Sequence, residues 1–312
     1  MSNPLTPFLK HQGVLVLDGG LATEFEARGC DLNDPLWSAK VLLDDHDLVR
    51  AVHLDYLRAG ADCIASASYQ ASFPGLERRG LDHLEAAELM RQSVRLAVEV
   101  RDEFWGDGSE HPDRLRPLVA ASIGPYGAYL ADGSEYTGNY GVDRPVLSTF
   151  HLERWHVLAD SGADIMACET IPSALEAQIL RELLRLTPDI YAWFSFSCRD
   201  EERISDGTPL VQVVSGLEDE SRIAAVGVNC TAPRHIPGLI RCLREVTRKP
   251  IVVYPNSGET YDAERKCWLG ETDPVEFGSA SGEWVAAGAT VVGGCCRTGP
   301  DHVRAIRQRV RG

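Results

Sequence analysis

SGADIMACET, residues 161–170, sets a small Gly-Ala turn directly against a short apolar run that ends on a carboxylate. The same device occurs twice more, as AGAD at 59–62 and AGAT at 287–290, each time between a helical pattern and an apolar run. Glycine can take the left-handed conformation that ends a helix, and alanine lets the turn pack close to a sheet. Working outward, apolar or β-branched runs begin at Val14 (VLVLDGG), Asp62 (DCIASAS), Pro117 (PLVAASIGPYG), Ala163 (ADIMACET), Ile190 (IYAWFSFSC), Ile223 (IAAVGVNC), Pro250 (PIVVYPNSG) and Thr290 (TVVGGCC). They read as strands buried on both faces, the pattern of a parallel sheet covered by helices.

Amphipathic segments of crossover length lie between most of them. Asp47 to Ala59 stops at Gly60, and Ser173 to Leu186 opens with Ser173 and Glu176 at capping-box spacing. Eight such units without a Pro/Gly/Ser-rich linker predict one (β/α)8 barrel over residues 1–312, in preference to two domains or an open doubly wound sheet. No GxGxxG turn supports the open sheet.

The 312 residues include 46 acidic and 31 basic side chains, a formal charge of -15, the wrong sign for neutralising nucleic-acid phosphates. Neither a basic n-region with an unbroken apolar run nor a membrane-length apolar stretch is found, so a cytoplasmic protein is expected. Nine cysteines, an odd number spread through the chain, predict reduced thiols.

In such barrels chemistry sits at the C-terminal ends of the strands. Cys230 ends the sixth run and Cys295-Cys296 the eighth, so three thiolates can meet there. Soft sulfur selects zinc, and three protein ligands leave a fourth position for substrate. The alternatives are three buried core cysteines, or a vicinal disulfide between Cys295 and Cys296. Gly293 and Gly294 would let the backbone bend so that both adjacent sulfurs face one ion. Glu169 suits a substrate ammonium, or else a loop arginine. Asp18-Gly19-Gly20 either offers backbone amides to a substrate carboxylate or is a plain turn. A thiol-bearing amino acid satisfies all three groups, and binding to zinc would make its sulfur the nucleophile.

The motifs DGGLATEFEARG (18–29), SYQAS (68–72), IGPYGAYLADGSEY (123–136), CETIP (168–172), SDGTPL (205–210), GVNC (227–230), YPNSGE (254–259) and GGCCRT (293–298) closely resemble the homocysteine S-methyltransferase family, most of all its bacterial and plant branch that uses S-methylmethionine. The resemblance runs from about Leu15 to Arg304. It implies zinc held by Cys230, Cys295 and Cys296 with homocysteine sulfur as the fourth ligand, Glu169 on the homocysteine amine, and Asp18-Gly19-Gly20, Ser68 and Asn229 at the amino-acid end. The implied reaction is methyl transfer from a sulfonium, S-methylmethionine first and S-adenosylmethionine second, giving methionine. No required protein partner is implied.

The loop residues Tyr126 to Tyr136 and Tyr254-Pro255-Asn256, Tyr126, Tyr254 and Asn256 above all, are candidates for the donor side, with ordinary loop packing as the alternative. His53, His151 and His156 receive no acid or base role and are expected to face solvent. Rival functions are methylation of selenocysteine or another thiol, a vicinal-dithiol redox protein, and a metal or amino-acid sensor without turnover. Oligomeric state and the role of Cys267 stay open, and the polar, glycine-rich segment 264–283 reads as a mobile loop.

Overall fold

A computed structural model describes residues 2–32, 38–258, 260–262, 267–269 and 273–311, with backbone only at 38–39, 260–262 and 267–269. All eight apolar runs are parallel strands: β1 (Leu15–Val16), β2 (Cys63–Ala65), β3 (Leu118–Ile123), β4 (Ile165–Ile171), β5 (Ala192–Phe196), β6 (Ile223–Asn229), β7 (Ile251–Tyr254) and β10 (Val291–Val292). An antiparallel ribbon of β8 (Thr260–Asp262) and β9 (Cys267–Leu269) lies between the last two. Sheet order is β1-β10-β7-β6-β5-β4-β3-β2. A parallel bridge from Leu17 to Cys63, with Asp62 N–H donating to Val16 O (2.7 Å) and Asp18 N–H to Cys63 O (3.1 Å), joins the two outer strands. The result is a (β/α)8 barrel.

The Gly-Ala turns do the work their sequence suggested. Gly60, Gly162 and Gly288 have φ of 113°, 89° and 121°, a region costly for any side chain. Each follows a helix, His46–Ala59, Arg144–Ala159 or Pro274–Ala287, and reverses the chain into the next strand.

Alternation along the strands sorts the side chains. Leu15, Leu17, Leu118, Ala120, Ile165, Ala167, Trp193, Val252 and Val291 pack with one another in one cluster, while Val16, Val119, Ala121, Met166, Cys168, Phe194, Val253 and Val292 belong to the layer facing the helices. Carrying the inward set one step further toward the C-terminal mouth brings up Ser122, Glu169, Ser195, Asn229 and Tyr254. Parity alone thus aims polar side chains into the mouth. The opposite end is closed by the helix Thr6–Gln12, whose Phe8, together with Leu5 just before it, joins the inward cluster. Sequence periodicity in seven residues is too short to announce such a plug.

Three local expectations are corrected. Segment 264–283 is not a loop throughout: Pro274–Ala287 is a helix whose Asp273 cap accepts Val275 N–H at 2.8 Å, while 263–266, 270–272 and the Cys267 side chain lie outside the described residues. Its glycines serve packing, since a Cβ on Gly278 would come within 2.9 Å of Ala305 and one on Gly282 within 2.6 Å of Arg309 on the helix Pro300–Arg311. Ser173 makes no side-chain cap; Glu176 turns inward, accepting Tyr126 N–H (2.6 Å) and Tyr140 OH (2.7 Å) and pairing with His151 Nε2 (2.7 Å). His53 and His151 are fully buried, and only His156 is exposed. Among the described residues no helix is long and apolar enough to cross a membrane.

Candidate metal and substrate site

Two strand ends deliver the sulfurs. Past Asn229 the chain leaves β6 through Cys230 at φ 47°, its N–H still bonded to Tyr254 O at 3.3 Å. Past β10, Gly293 N–H reaches Val253 O (3.1 Å), Gly294 N–H reaches Asp18 O (3.1 Å) and Cys295 N–H reaches Pro255 O (2.9 Å). A turn then folds Thr298 back, its hydroxyl donating to Cys295 O at 2.7 Å. Arg297 within that turn has φ 64°. Non-glycine residues held in this region mark positions that the surroundings over-determine, often at functional sites.

The two glycines act differently from the bend expected of them. Neither lies in the left-handed region; instead a Cβ on Gly293 would fall 2.6 Å from that of Leu17, and one on Gly294 would run into the Thr298 side chain. Gly293 permits close passage against the end of β1, and Gly294 lets the turn fold Thr298 back over it.

The sulfurs of Cys230, Cys295 and Cys296 all lie within 4.8 Å of one another, with Cys230 and Cys296 3.6 Å apart. A tetrahedral ion with bonds of ~2.3 Å to sulfur would set such atoms about 3.8 Å apart, whereas a disulfide requires about 2.05 Å. All three are free thiols. The Cys295 thiol is held well above the usual range, first by its contact with Cys230, against the contact with Cys296, and then by burial. Thiols so placed keep their protons until a cation displaces them.

The sulfurs face a cavity of about 810 Å3, its open mouth included. Asp18, Glu169 and Tyr254 line it on the side of β1, β4 and β7, and Tyr69, Glu135 and Tyr136 line it as well. No lysine, arginine or histidine among the described residues does. Glu169 accepts from the Ser122 hydroxyl; burial raises its pKa, opposed by Ser122 and then Tyr254. Asp18 Oδ2 accepts Ala65 N–H at 2.7 Å, and burial raises its pKa well above normal, opposed by that bond and reinforced by Glu169. Burial raises the pKa of Glu135 as well, and three desolvated carboxyls without a basic partner among the described lining residues favour a cationic ligand. The backbone nest expected at Asp18-Gly19-Gly20 is largely used up, because Asp18 N–H is bonded to Cys63 O and Gly20 N–H to Thr298 O (2.9 Å).

Apart from Tyr254, the other residues singled out from the sequence lie behind the lining or away from it. Ser68 is fully buried, its hydroxyl bonded to Ser66 Oγ and Ser122 O, both at 2.7 Å. Asn229 Oδ1 accepts Thr170 N–H (2.7 Å) and its Nδ2 donates to Thr170 Oγ1 (2.8 Å), holding Thr170 at φ 58° beside Glu169. Tyr126 packs among Tyr129, Tyr140 and Phe150, away from the cavity. Tyr254 OH binds Trp193 Nε1 (3.0 Å) and Ser195 Oγ (2.5 Å) in the barrel interior, and Asn256 N–H reaches Thr231 O at 3.1 Å. The tyrosine of the 123–136 motif that reaches the sulfurs is Tyr136, its hydroxyl 3.6 Å from Cys230 Sγ. Ser122 follows from strand parity, and Glu135 and Tyr136 fall within the loop from Tyr126 to Tyr136 expected on the donor side; which side chains of that loop turn in, and that Tyr69 does, depends on loop conformation.

Barrel, sulfur cluster and cation-seeking cavity define a class: a (β/α)8 protein whose mouth presents three thiols and three carboxyls to one small ligand. A family model described as homocysteine S-methyltransferase matches residues 15–310. The chain is 50% identical to homocysteine S-methyltransferase YbgG of Bacillus subtilis (strain 168) over 97% of its length and 96% of that protein's. It is 49% identical to the selenocysteine Se-methyltransferase of Brassica oleracea var. italica, over 96% and 89% of the two chains. The metallated form of the Escherichia coli homocysteine methyltransferase MmuM superposes with a TM-score of 0.88 at 46% identity, covering 98% of this chain and all of that one. This chain belongs to the homocysteine S-methyltransferase family.

Proposed function

We propose that the protein transfers a methyl group from S-methylmethionine to the thiol of homocysteine, with zinc held by Cys230, Cys295 and Cys296. Three free sulfurs within 4.8 Å of one another, in a cavity that also contains Glu169 and no basic side chain among the described residues, support this best. A soft divalent ion suits three thiols, and zinc, when bound, presents the substrate sulfur as a thiolate. Glu169, steadied by Ser122, takes the homocysteine ammonium, and Asn229 fixes the turn that follows Glu169. The methyl carbon forms its bond to homocysteine sulfur as its bond to the donor sulfonium breaks; the electron pair of that bond stays on the donor sulfur, which leaves as a neutral thioether, and the thiol proton goes to solvent. No general acid is needed. Anion and cation disappear together, so excluding water and aligning the two sulfurs supply the acceleration.

The test is methionine formation by protein of measured zinc content. Near-stoichiometric zinc, and loss of both zinc and turnover in Cys296→Ser, is the expected result; turnover that survives without metal would overturn the zinc assignment. The selenocysteine methyltransferase among the relatives favours a second acceptor, so homocysteine and selenocysteine belong in the same competition assay.

A further inference from the structure

We propose that Glu135 reads the positive charge of the methyl donor, making it the residue that selects a sulfonium over a neutral thioether; this rests on the methyl-transfer function proposed above. Glu135 sits in the short 3-10 turn Ser134–Tyr136 and lines the same cavity as the sulfurs. The turn is fixed from both sides: Ser197 Oγ donates to Glu135 O at 3.2 Å, and Gly127 leaves room for the Glu135 backbone where any Cβ would collide with it. Tyr136, the next residue, touches Cys230 Sγ, so the turn abuts the place where an acceptor sulfur would be bound.

The carboxylate itself is unusual among the acids of the cavity. Asp18 has the Ala65 N–H and Glu169 has the Ser122 hydroxyl, but Glu135 Oε2 is buried with no hydrogen-bond partner among the described residues. A buried carboxylate oxygen without a donor is costly and calls for a ligand to complete it. An ammonium or guanidinium would normally be met by several oxygens, whereas a sulfonium has no N–H or O–H at all. It offers only charge and polarised C–H groups, which suits a lone acceptor oxygen flanked by aromatic rings. Tyr69 and Tyr136, which line the same cavity, supply the rings. Both carboxylates line this one cavity, Glu169 standing ready for the acceptor's ammonium and Glu135 for the donor's sulfonium.

Methyl transfer erases the donor's charge, so attraction to Glu135 is strongest in the bound donor and weaker in the transition state. Glu135→Gln should raise the KM for S-methylmethionine at least tenfold while leaving kcat unchanged or slightly higher, with homocysteine KM, zinc content and melting temperature as in the parent. Glu135→Asp should recover part of the loss. Calorimetric binding to the zinc-loaded protein separates charge reading from amino-acid recognition: Glu135→Gln should weaken S-methylmethionine tenfold and methionine less than twofold. Equal losses for both ligands, a donor KM that does not move, or a shift confined to homocysteine KM would each overturn the assignment. If the parent makes no methionine from any sulfonium, the proposed function fails, and the two binding constants still decide what Glu135 recognises.

Discussion

Replacing Asn229 with alanine should damage the site from behind. The side chain is fully buried and spans Thr170, accepting its N–H at 2.7 Å and donating to its hydroxyl at 2.8 Å. Asn229→Ala removes both bonds, each worth about 1 kcal/mol net, and strands a buried N–H whose desolvation costs about 1–3 kcal/mol. Thr170 is also held at φ 58°, a conformation costing on the order of 1–3 kcal/mol that it would relinquish once released. Relief of that strain offsets part of the loss, leaving a destabilisation of about 2–3 kcal/mol. Urea unfolding followed by tryptophan fluorescence would register it, because Trp193 lies within the barrel interior. The relaxation of Thr170 moves the residue next to Glu169, so homocysteine KM should rise at least tenfold while the metal stoichiometry stays near one. A variant within about 0.5 kcal/mol of the parent and with unchanged homocysteine KM would refute the role given to Asn229.

Further perturbations have defined outcomes. His53 is fully buried with neither ring nitrogen bonded among the described residues, and burial lowers its pKa from 6.5 to about 4, so its neutral form stabilises the fold fully above pH 6.5 and that contribution is lost as pH falls toward 4. His53→Leu should remove about 2–3 kcal/mol of the stability difference between pH 7 and pH 4.5, measured by denaturant midpoints; an unchanged difference would exonerate His53. Gly294→Ala would drive Thr298 away from Cys295, so zinc affinity in a chelator competition should fall at least tenfold, and undiminished affinity would show that the close passage is dispensable. Zinc at about 100 times its dissociation constant should stabilise the protein by about 2.7 kcal/mol, an effect that Cys296→Ser abolishes and that chelation reverses.

The barrel was legible because its evidence is local and repeated: short doubly buried runs, crossover-length helices and three Gly-Ala turns. Glu169 was legible for the same reason, since its place in strand parity after Ile165 and Ala167 leaves it only one way to point. What could not be read depends on tertiary neighbours. Glu176 has the spacing of a helix cap, yet three groups on the 126–151 segment compete for its oxygens and draw it inward. His53 and His151 sit on helices whose buried arc is set by the adjacent helices, and Gly278 and Gly282 look like loop residues until the last helix is laid against them. Tyr126 and Tyr136 belong to one motif, and only the course of the chain between them tells which one meets the cysteines.

Two of the three sulfurs follow β10, the last barrel strand in chain order, and β10 is also the piece inserted between β1 and β7. During synthesis, every earlier strand emerges while the ring is still open, with β1 and β7 presenting unpaired edges of the kind that invite pairing with other chains. Completion of the sulfur cluster and disappearance of those edges are therefore one event. A thiophilic metal captured at that moment would act as a latch on the newly closed ring.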